Sequence, residues 1–451
     1  MIESLKKKII ERTARLCIVG MGYVGLPTAV FFAEKGFRVI GCDIKDEFVK
    51  KINNGTSPLS DLNLDERVAR AVSDGRLAAT GDAEKAVSLS DIALIIVPTP
   101  TKEGFEPDLS YIISAGEAVS RGLRKGQLVV LESTVYPGVT EEMLLPILEG
   151  SGLKAGSDFG LAYCPERYNP GDPEHTIDKV TRIIGGISEE WAKVACALYS
   201  AVTEAVPVRD IKTAEMAKII ENTQRDLNIA LMNEIAIICE HLGLDVIEVI
   251  KAASTKWNFH VYLPGAGVGG HCLPKDPWYL VKAAEKRGYH AKVITAGREI
   301  NDYMPEHVFG LLVKGLNSAG KPVKGTKVLI LGLSYKENVG DLRNTPSRLL
   351  IKKIKEMGGT VYSVDPFVTS KEAMALGVDA HYTSCDEVKD ELDALVLMTP
   401  HEQFKRELTC ACKGTVFVDG RRSIDESTII NGVIYVGLGK GMKEYQFINN
   451  D

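Results

Sequence analysis

Cys272 closes a glycine-dense stretch, GAGVGGHCLPKD at residues 265–276. Glycine at 265, 267, 269 and 270 cannot serve a helix, and predicts a loop whose backbone can lie against a flat or bulky ligand. A thiol beside His271 and Lys275 has the surroundings that lower a cysteine pKa and make a nucleophile. A cysteine chosen blindly is more often a small buried hydrophobe, and it is the placement in this loop that reverses the preference. Lys218 and Asn222 stand four residues apart in a helical pattern, hence on one face, and Arg225 follows within a turn. A cation and an amide side by side can stabilise an oxyanion, although a solvated helix face would carry the same pair. In Cys-Pro-Glu-Arg, residues 164–167, Glu166 falls at the end of an expected strand, where it is either a general base or a plain surface carboxylate.

A second glycine pattern, Gly20-Met21-Gly22-Tyr23-Val24-Gly25, follows the apolar run LCIVG and precedes a helical pattern near Pro27. Glycines so placed permit a tight turn, close approach of a pyrophosphate and tight helix–strand packing, and the helix N-terminus offers amides to phosphates. A glycine turn with no ligand would read the same, but the next run, FRVIGCD, ends at Asp43. An acid there accepts hydrogen bonds from ribose hydroxyls and repels a 2′-phosphate, favouring NAD over NADP; Lys45 blurs that preference. Thr99 and Thr134 end the runs IALIIVPTP and QLVVLESTV, at the same edge or as simple turn caps.

The elements that must hold these residues read clearly. Short apolar runs bounded by Gly, Pro or Asp (LCIVG, FRVIGCD, IALIIVPTP, QLVVLESTV, FGLAYCPER, TRIIGG) predict the buried strands of a parallel sheet, doubly wound over residues 1–205. From Asp210 to His241 one uninterrupted helical pattern, with Gly243 past its end, predicts a bridging helix and a subunit interface. Residues 206–320 thus form a central helical dimerisation domain carrying the Cys272 loop. A second α/β domain follows over 321–451, with VLILGLSY, GTVYSVDP, ALVLMTP, GTVFVDGRR and VIYVGLG. The fold class expected is α/β, with two Rossmann-like doubly wound domains joined by a long helix.

With 451 residues, 45% hydrophobic and 25% charged, the chain has the composition of a globular protein of two or three domains. A net charge of −6 argues against nucleic acid or anionic lipid as partners, so an anionic ligand needs a local pocket of cations. No apolar run of about 18 residues predicts a membrane span. The N-terminus suggests an amphipathic helix, not a signal peptide. Nine cysteines, with Cys410 and Cys412 close but no second pair of finger-like spacing, predict reduced cytoplasmic thiols and no metal.

Together GMGYVGLPTA, VPTPT, ESTVYPG, CPERYNPGD, AEMAKIIENTQRDLNIALMNE, GAGVGGHCLPKDPWYL and GLSYKENVGDLRNTP resemble the UDP-glucose/UDP-N-acetylmannosamine dehydrogenase family over essentially the whole chain. The resemblance implies an N-terminal NAD domain, a dimerising helical middle, a C-terminal UDP-binding domain, and a four-electron oxidation using two NAD per UDP-sugar. It implies Cys272 as nucleophile, with Lys218 and Asn222 on the alkoxide and thiohemiacetal oxygens. Asp276 would position Lys218 or a water, Glu166 would assist hydrolysis, and Thr134 would hold a water. NAD would meet Gly20, Gly22, Tyr23, Val24, Gly25, Asp43, Thr99, Thr134 and Arg343. The UDP-sugar would meet Arg167, Tyr168, Lys218, Asn222, Arg225, Gly269, Tyr335, Lys336 and Arg421. Pro-Glu-Arg and His271 follow the N-acetylhexosamine branch, with mannosamine and glucosamine both open and UDP-glucose as the alternative. Two rivals remain: a two-electron β-hydroxyacid dehydrogenase, which needs neither Cys272 nor a second α/β domain, and a binding protein without chemistry.

Overall fold

The structure, a computed structural model, describes residues 1–59, 64–167, 176–406, 414–429 and 431–440. It forms two compact units: the described part of Met1–Glu221 with Trp278–Tyr289, and Asn222–Pro277 with the described residues from His290 onward.

The first unit is built on an eight-stranded sheet: β1 (Arg15–Val19), β2 (Arg38–Cys42), β3 (Leu77–Thr80), β4 (Ile92–Ile95), β5 (Leu128–Leu131), β6 (Gly160–Tyr163), β7 (Arg182–Gly186) and β8 (Ala205–Pro207). Its order is β3-β2-β1-β4-β5-β6-β7-β8. The apolar runs are strands because both faces are covered. Leu16, Ile18, Ile92, Leu94, Leu128 and Val130 enter one core cluster, while Cys17, Val19, Ala93, Ile95, Val129 and Leu131 enter another on the opposite face. One expectation is corrected: β6 and β7 pair antiparallel, Ala162 opposite Gly186, so the sheet is mixed. A parallel pair needs a crossover connection, whereas antiparallel neighbours do not. The helix Gly25–Glu34 starts two residues before Pro27.

In the second unit six strands, β9 (Lys327–Leu331), β10 (Thr360–Val364), β11 (Ala380–Tyr382), β12 (Ala394–Leu397), β13 (Val416–Asp419) and β14 (Ile434–Gly437), are all parallel in the order β11-β10-β9-β12-β13-β14. Alternate residues again divide between two cores, Val328, Ile330 and Val396 against Leu329, Leu331 and Leu395. In both sheets the winding reverses beside the first strand, between β1 and β4 and between β9 and β12. Open α/β sheets bind ligands at the carboxyl ends of such strands. A single helix, Ile211–Leu242, contains the boundary between the units, and Lys292–Ser318 carries Pro305 inside it. Among the described residues no helix is long and apolar enough to cross a membrane.

Six described cysteines are free, but Cys385 is disulfide-bonded, so the expectation of a wholly reduced set fails there.

Candidate functional site

In the first unit the glycine turn sits at the switch point. Gly20 has φ +100°, and a Cβ on it would lie 2.2 Å from the Ile96 carbonyl oxygen, so no other residue fits. A Cβ on Gly25 would lie 1.8 Å from the Gly20 oxygen, which makes this glycine a helix–turn packing requirement. At Gly22 a Cβ would meet nothing within 4 Å. The protein's own atoms therefore do not demand glycine at 22, whereas a pyrophosphate laid against the backbone would. Tyr23 is exposed and Val24 half-buried at the helix N-terminus. Asp43, one residue past β2, accepts the Met21 amide at 2.9 Å and the Lys45 amide at 2.9 Å, which fixes its carboxylate toward the turn. These residues fit a dinucleotide.

Thr99 and Thr134 lie beyond their strands, which end at Ile95 and Leu131. Their loops are stapled by Ser133, whose hydroxyl donates to the Val97 carbonyl at 2.8 Å and accepts the Val97 amide at 2.9 Å. The Thr99 carbonyl accepts from the buried Tyr279 hydroxyl.

Glu166 is heavily committed. One oxygen receives Arg182 Nη2 at 2.6 Å and the other the Arg167 amide at 2.7 Å. Arg182 is buried and also faces Glu132 at 3.5 Å. Burial pushes the Glu132 carboxyl up to about 7, Arg182 opposing the rise and Glu166 adding to it. Sequence reasoning missed both partners: a buried arginine opening an apolar strand, TRIIGG, was the available signal. Arg167 is held by Glu221, at 2.7 Å, and by the Thr181 carbonyl at 2.8 Å. Tyr168 lies outside the described residues. Lys218 is buried, not on a solvated face, and has no carboxylate within ion-pair distance among the described residues.

In the second unit Cys272 is exposed, and its carbonyl accepts the amides of Lys275 and Asp276 in a tight turn, at 3.0 and 2.8 Å. His271 Nδ1 is 3.9 Å from the sulfur. Burial first, then Lys275 and Arg343, drives His271 down to about 3. The ring is neutral at ordinary pH, so it is not the cation that the sequence suggested for activating the thiol. Lys275, with its ammonium 3.8 Å from Asp276, is the cation nearby in the sequence. The other Asp276 oxygen accepts the Asn222 amide group at 2.6 Å, so Asp276 orients Asn222.

The glycine loop packs against the second unit's own side chains. A Cβ on Gly269 would meet Tyr335 Cβ at 2.4 Å, one on Gly270 the Tyr335 ring at 2.8 Å, and one on Gly265 the Arg421 guanidinium at 2.4 Å. Arg421 is held by the Met398 carbonyl, 2.8 Å from its Nε. Burial raises the Tyr335 phenol pKa, Asp341 and Cys272 adding to the rise while Arg343 and Arg225 oppose it. Tyr335, Cys272 and exposed Arg225 thus share one field, and half-buried Lys336 follows Tyr335 in the chain. Arg343 pairs with Asp341 and belongs to this unit, apart in the chain from the other residues expected at NAD. A buried relay sequence reasoning missed anchors the loop's start: Asn233 accepts the Gly265 amide at 2.8 Å, and donates to Asn301, which donates to Asp226 at 2.9 Å.

Comparison with known proteins matches three consecutive profiles of one family: the UDP-glucose/GDP-mannose dehydrogenase NAD binding domain at residues 14–203, its central domain at 212–303 and its UDP binding domain at 329–426. The UDP-N-acetyl-D-glucosamine 6-dehydrogenase of Pseudomonas aeruginosa is 40% identical over 400 residues, 87% of this chain and 91% of that one. The UDP-N-acetyl-D-mannosamine dehydrogenase of Pyrococcus horikoshii is 37% identical over 95% of this chain and 99% of its own. A solved structure of the UDP-D-ManNAc dehydrogenase from Pyrococcus horikoshii superposes with a TM-score of 0.86 at 36% identity, covering 95% of this chain and 99% of that one. A UDP-binding domain after the Cys272 loop is what the β-hydroxyacid rival lacks, and the chain belongs to the UDP-glucose/GDP-mannose dehydrogenase family, as an NAD-dependent oxidoreductase of nucleotide sugars.

Proposed function

We propose that the chain oxidises the C6 hydroxymethyl group of a UDP-N-acetylhexosamine to the carboxylate, with Cys272 as the covalent nucleophile. The exposed sulfur on a loop held by Tyr335 and Arg421, with Asp276 and Asn222 linked directly behind it, carries this reading. Relatives acting on UDP-N-acetyl-D-glucosamine and UDP-N-acetyl-D-mannosamine support the hexosamine, as do Arg167 and His271 in this chain.

Bound NAD supplies the hydride acceptor in both oxidation steps. Gly20, Gly22, Tyr23, Val24, Gly25, Asp43, Thr99, Thr134 and Arg343 are assigned to it. The alcohol loses a hydride and a proton to become an aldehyde. Cys272 sulfur then bonds to the aldehyde carbon, and Lys218 and Asn222 carry the oxyanion. A second hydride leaves that carbon to give a thioester, which water hydrolyses to release the thiolate. The sum is one alcohol, two NAD and one water giving one carboxylate, two NADH and three protons. Arg167, Tyr168, Arg225, Gly269, Tyr335, Lys336 and Arg421 hold the UDP-sugar. Glu166 is engaged by Arg182, so its assistance to hydrolysis is electrostatic unless that contact opens.

This reading divides the chain into NAD, helical and UDP parts at 1–205, 206–320 and 321–451, assigns it to the cytoplasm, and makes it a homodimer or higher homo-oligomer. Met216, Ile220, Leu231, Ile238 and Leu242 are exposed on the helix Ile211–Leu242, and at about 100° per residue they fall within an arc of about 80°. These exposed apolar side chains on one helix face, interrupted by exposed Gln224 and Glu234, support pairing with a second copy.

A panel of UDP-glucose, UDP-N-acetylglucosamine and UDP-N-acetylmannosamine, followed by NADH absorbance, tests the reading. Two NADH per hexosamine and a near-dead Cys272→Ala enzyme are expected. One NADH per sugar, full activity without the sulfur, or preference for UDP-glucose would overturn it.

A further inference from the structure

The second sheet repeats the device seen at the glycine turn, with one difference that assigns it another job. Gly332 follows β9 as Gly20 follows β1, and a Cβ on it would lie 2.4 Å from the Thr399 carbonyl. Asp365 follows β10 as Asp43 follows β2. Asp43 is only half-buried, whereas Asp365 is almost fully buried and its Oδ2 accepts the amides of Leu333 and Ser334, at 2.8 and 2.9 Å, and the Ser334 hydroxyl at 3.0 Å. Its Oδ1 accepts the Phe367 amide at 2.9 Å. Asp365 is withdrawn from solvent and its Oδ2 is crowded with donors from the chain itself, so this acid holds the chain and not a ligand. Burial works against its ionisation, and the hydrogen bonds from His401 and the backbone amides outweigh it, keeping the carboxyl below its ordinary range.

His401, also fully buried, completes the grip. Its Nδ1 accepts the Asn338 amide at 2.9 Å; an amide only donates, so the ring proton sits on Nε2, which points at Asp365 Oδ2 at 3.1 Å. Asn338 has φ +60°, a left-handed conformation that a non-glycine residue keeps only when its surroundings impose it. Its side-chain oxygen accepts the Glu402 amide at 3.2 Å, and Thr399 donates its hydroxyl to the Ser334 carbonyl. The pins therefore close on Ser334 at one end and Asn338 at the other. Between them lie Tyr335, Lys336 and Glu337.

We propose that His401 and Asp365 are positioning residues for nucleotide-sugar binding: they clamp the 334–338 loop at both ends and so aim Tyr335 and Lys336, and through Tyr335 the glycine loop of Cys272. This rests on the assignment of Tyr335 and Lys336 to the UDP-sugar. Neither clamp residue touches the ligand. Asparagine at 401 can place an acceptor near Nδ1 and keep the Asn338 end, while glutamine keeps only the donor toward Asp365.

The test is calorimetric binding of UDP, and separately of NAD, to the full chain. His401→Gln should weaken UDP at least tenfold with NAD within twofold, and His401→Asn should stay within threefold of the native protein. If His401→Gln does not fold, Thr399→Val, which removes only the grip on the Ser334 carbonyl, should weaken UDP threefold or more with NAD unchanged. Native UDP affinity in the folded His401→Gln or Thr399→Val protein, equal losses of UDP and NAD, or identical behaviour of the asparagine and glutamine variants overturns the clamp. Tyr335→Ala and Lys336→Ala separate the two levels: if both leave UDP binding intact, the substrate assignment itself fails; if they weaken it while the clamp variants do not, only this inference fails.

Discussion

Glu132→Gln is expected to stabilise the first unit, and to do so much more at pH 8 than at pH 5. Glu132 follows β5 directly and is almost fully buried; its Oε1 accepts the Tyr199 hydroxyl at 2.6 Å, and its Oε2 has no hydrogen bond. The buried cation within reach among the described residues, Arg182, is 3.5 Å away and spends its shorter contact, 2.6 Å, on Glu166. Two carboxylates thus share one guanidinium, and the more deeply buried of them is under-compensated. Burial therefore lifts Glu132 from 4.5 to about 7.

The sign follows from which state holds the proton. Below the unfolded value both states are protonated and nothing is lost. As pH rises from about 4.5 to about 7 the unfolded chain releases the proton while the folded protein retains it, so stability falls. Above about 7 the loss levels off at about 3 kcal/mol, from about 1.4 kcal/mol per unit. Glutamine mimics the protonated acid and still accepts from Tyr199, so the gain should be about 1 kcal/mol at pH 5 and about 3 kcal/mol at pH 8. Chains with two compact units seldom unfold in one step, so the reporter must be local. In a Trp257→Phe background the remaining tryptophans, Trp191 and Trp278, both belong to the first unit, and urea unfolding followed by their fluorescence reads that unit alone. A gain of equal size at both pH values, or a loss at pH 8, would refute the assignment of an under-compensated buried charge.

Other consequences are more direct. Gly22→Val should fold normally and bind NAD at least tenfold more weakly, while Gly25→Ala should lower the melting temperature sharply; a reversed pattern in calorimetry and NAD titration would contradict the division of roles. Asp276→Ala frees the Asn222 amide and should cut kcat by one to two orders of magnitude with KM within threefold, which steady-state kinetics checks. Because His271 is held down to about 3, it carries no charge across pH 5–9, and His271→Gln should leave the acid limb of the kcat profile in place; a displaced limb would mean that the imidazole titrates with the reaction.

What was legible in the sequence was what depends on pattern. Strands covered on both faces must be apolar throughout, so β1, β4, β5, β9 and β12 stood out, and a helix of more than eight turns cannot hide its period. The short edge strands β3, β8 and β11 did not, because Leu77–Thr80 and Ala205–Pro207 are too short and too mixed to show alternation. Nor did the antiparallel return to β7, since strand direction is set by the connection and not by composition. Among the candidate site residues, those on motifs could be named from the sequence and the side chains that hold them could not. Arg182, Glu132, Asn233, His401 and Asp365 act through hydrogen bonds to residues from 16 to 67 positions away, and no local spacing encodes a contact of that kind.

The two glycine runs show where pattern reading gives the right residue for the wrong reason. In both, glycine suggested a backbone laid against a ligand. At Gly22 that cause survives, because no protein atom occupies the space a side chain would need. At Gly265, Gly269 and Gly270 the space is filled by Arg421 and Tyr335, and a Cβ on Gly267 would lie 3.1 Å from Pro305 and Pro346. The flat, bulky group that the second loop accommodates is therefore the protein's own tyrosine ring. Its glycines let side chains from the β9 and β13 loops approach the stretch of backbone that ends in Cys272. A side chain added at 269 would displace Tyr335. The placement of the exposed Cys272 sulfur therefore depends on how the second unit packs around Tyr335, and on the proposed reading that packing bears on its chemistry.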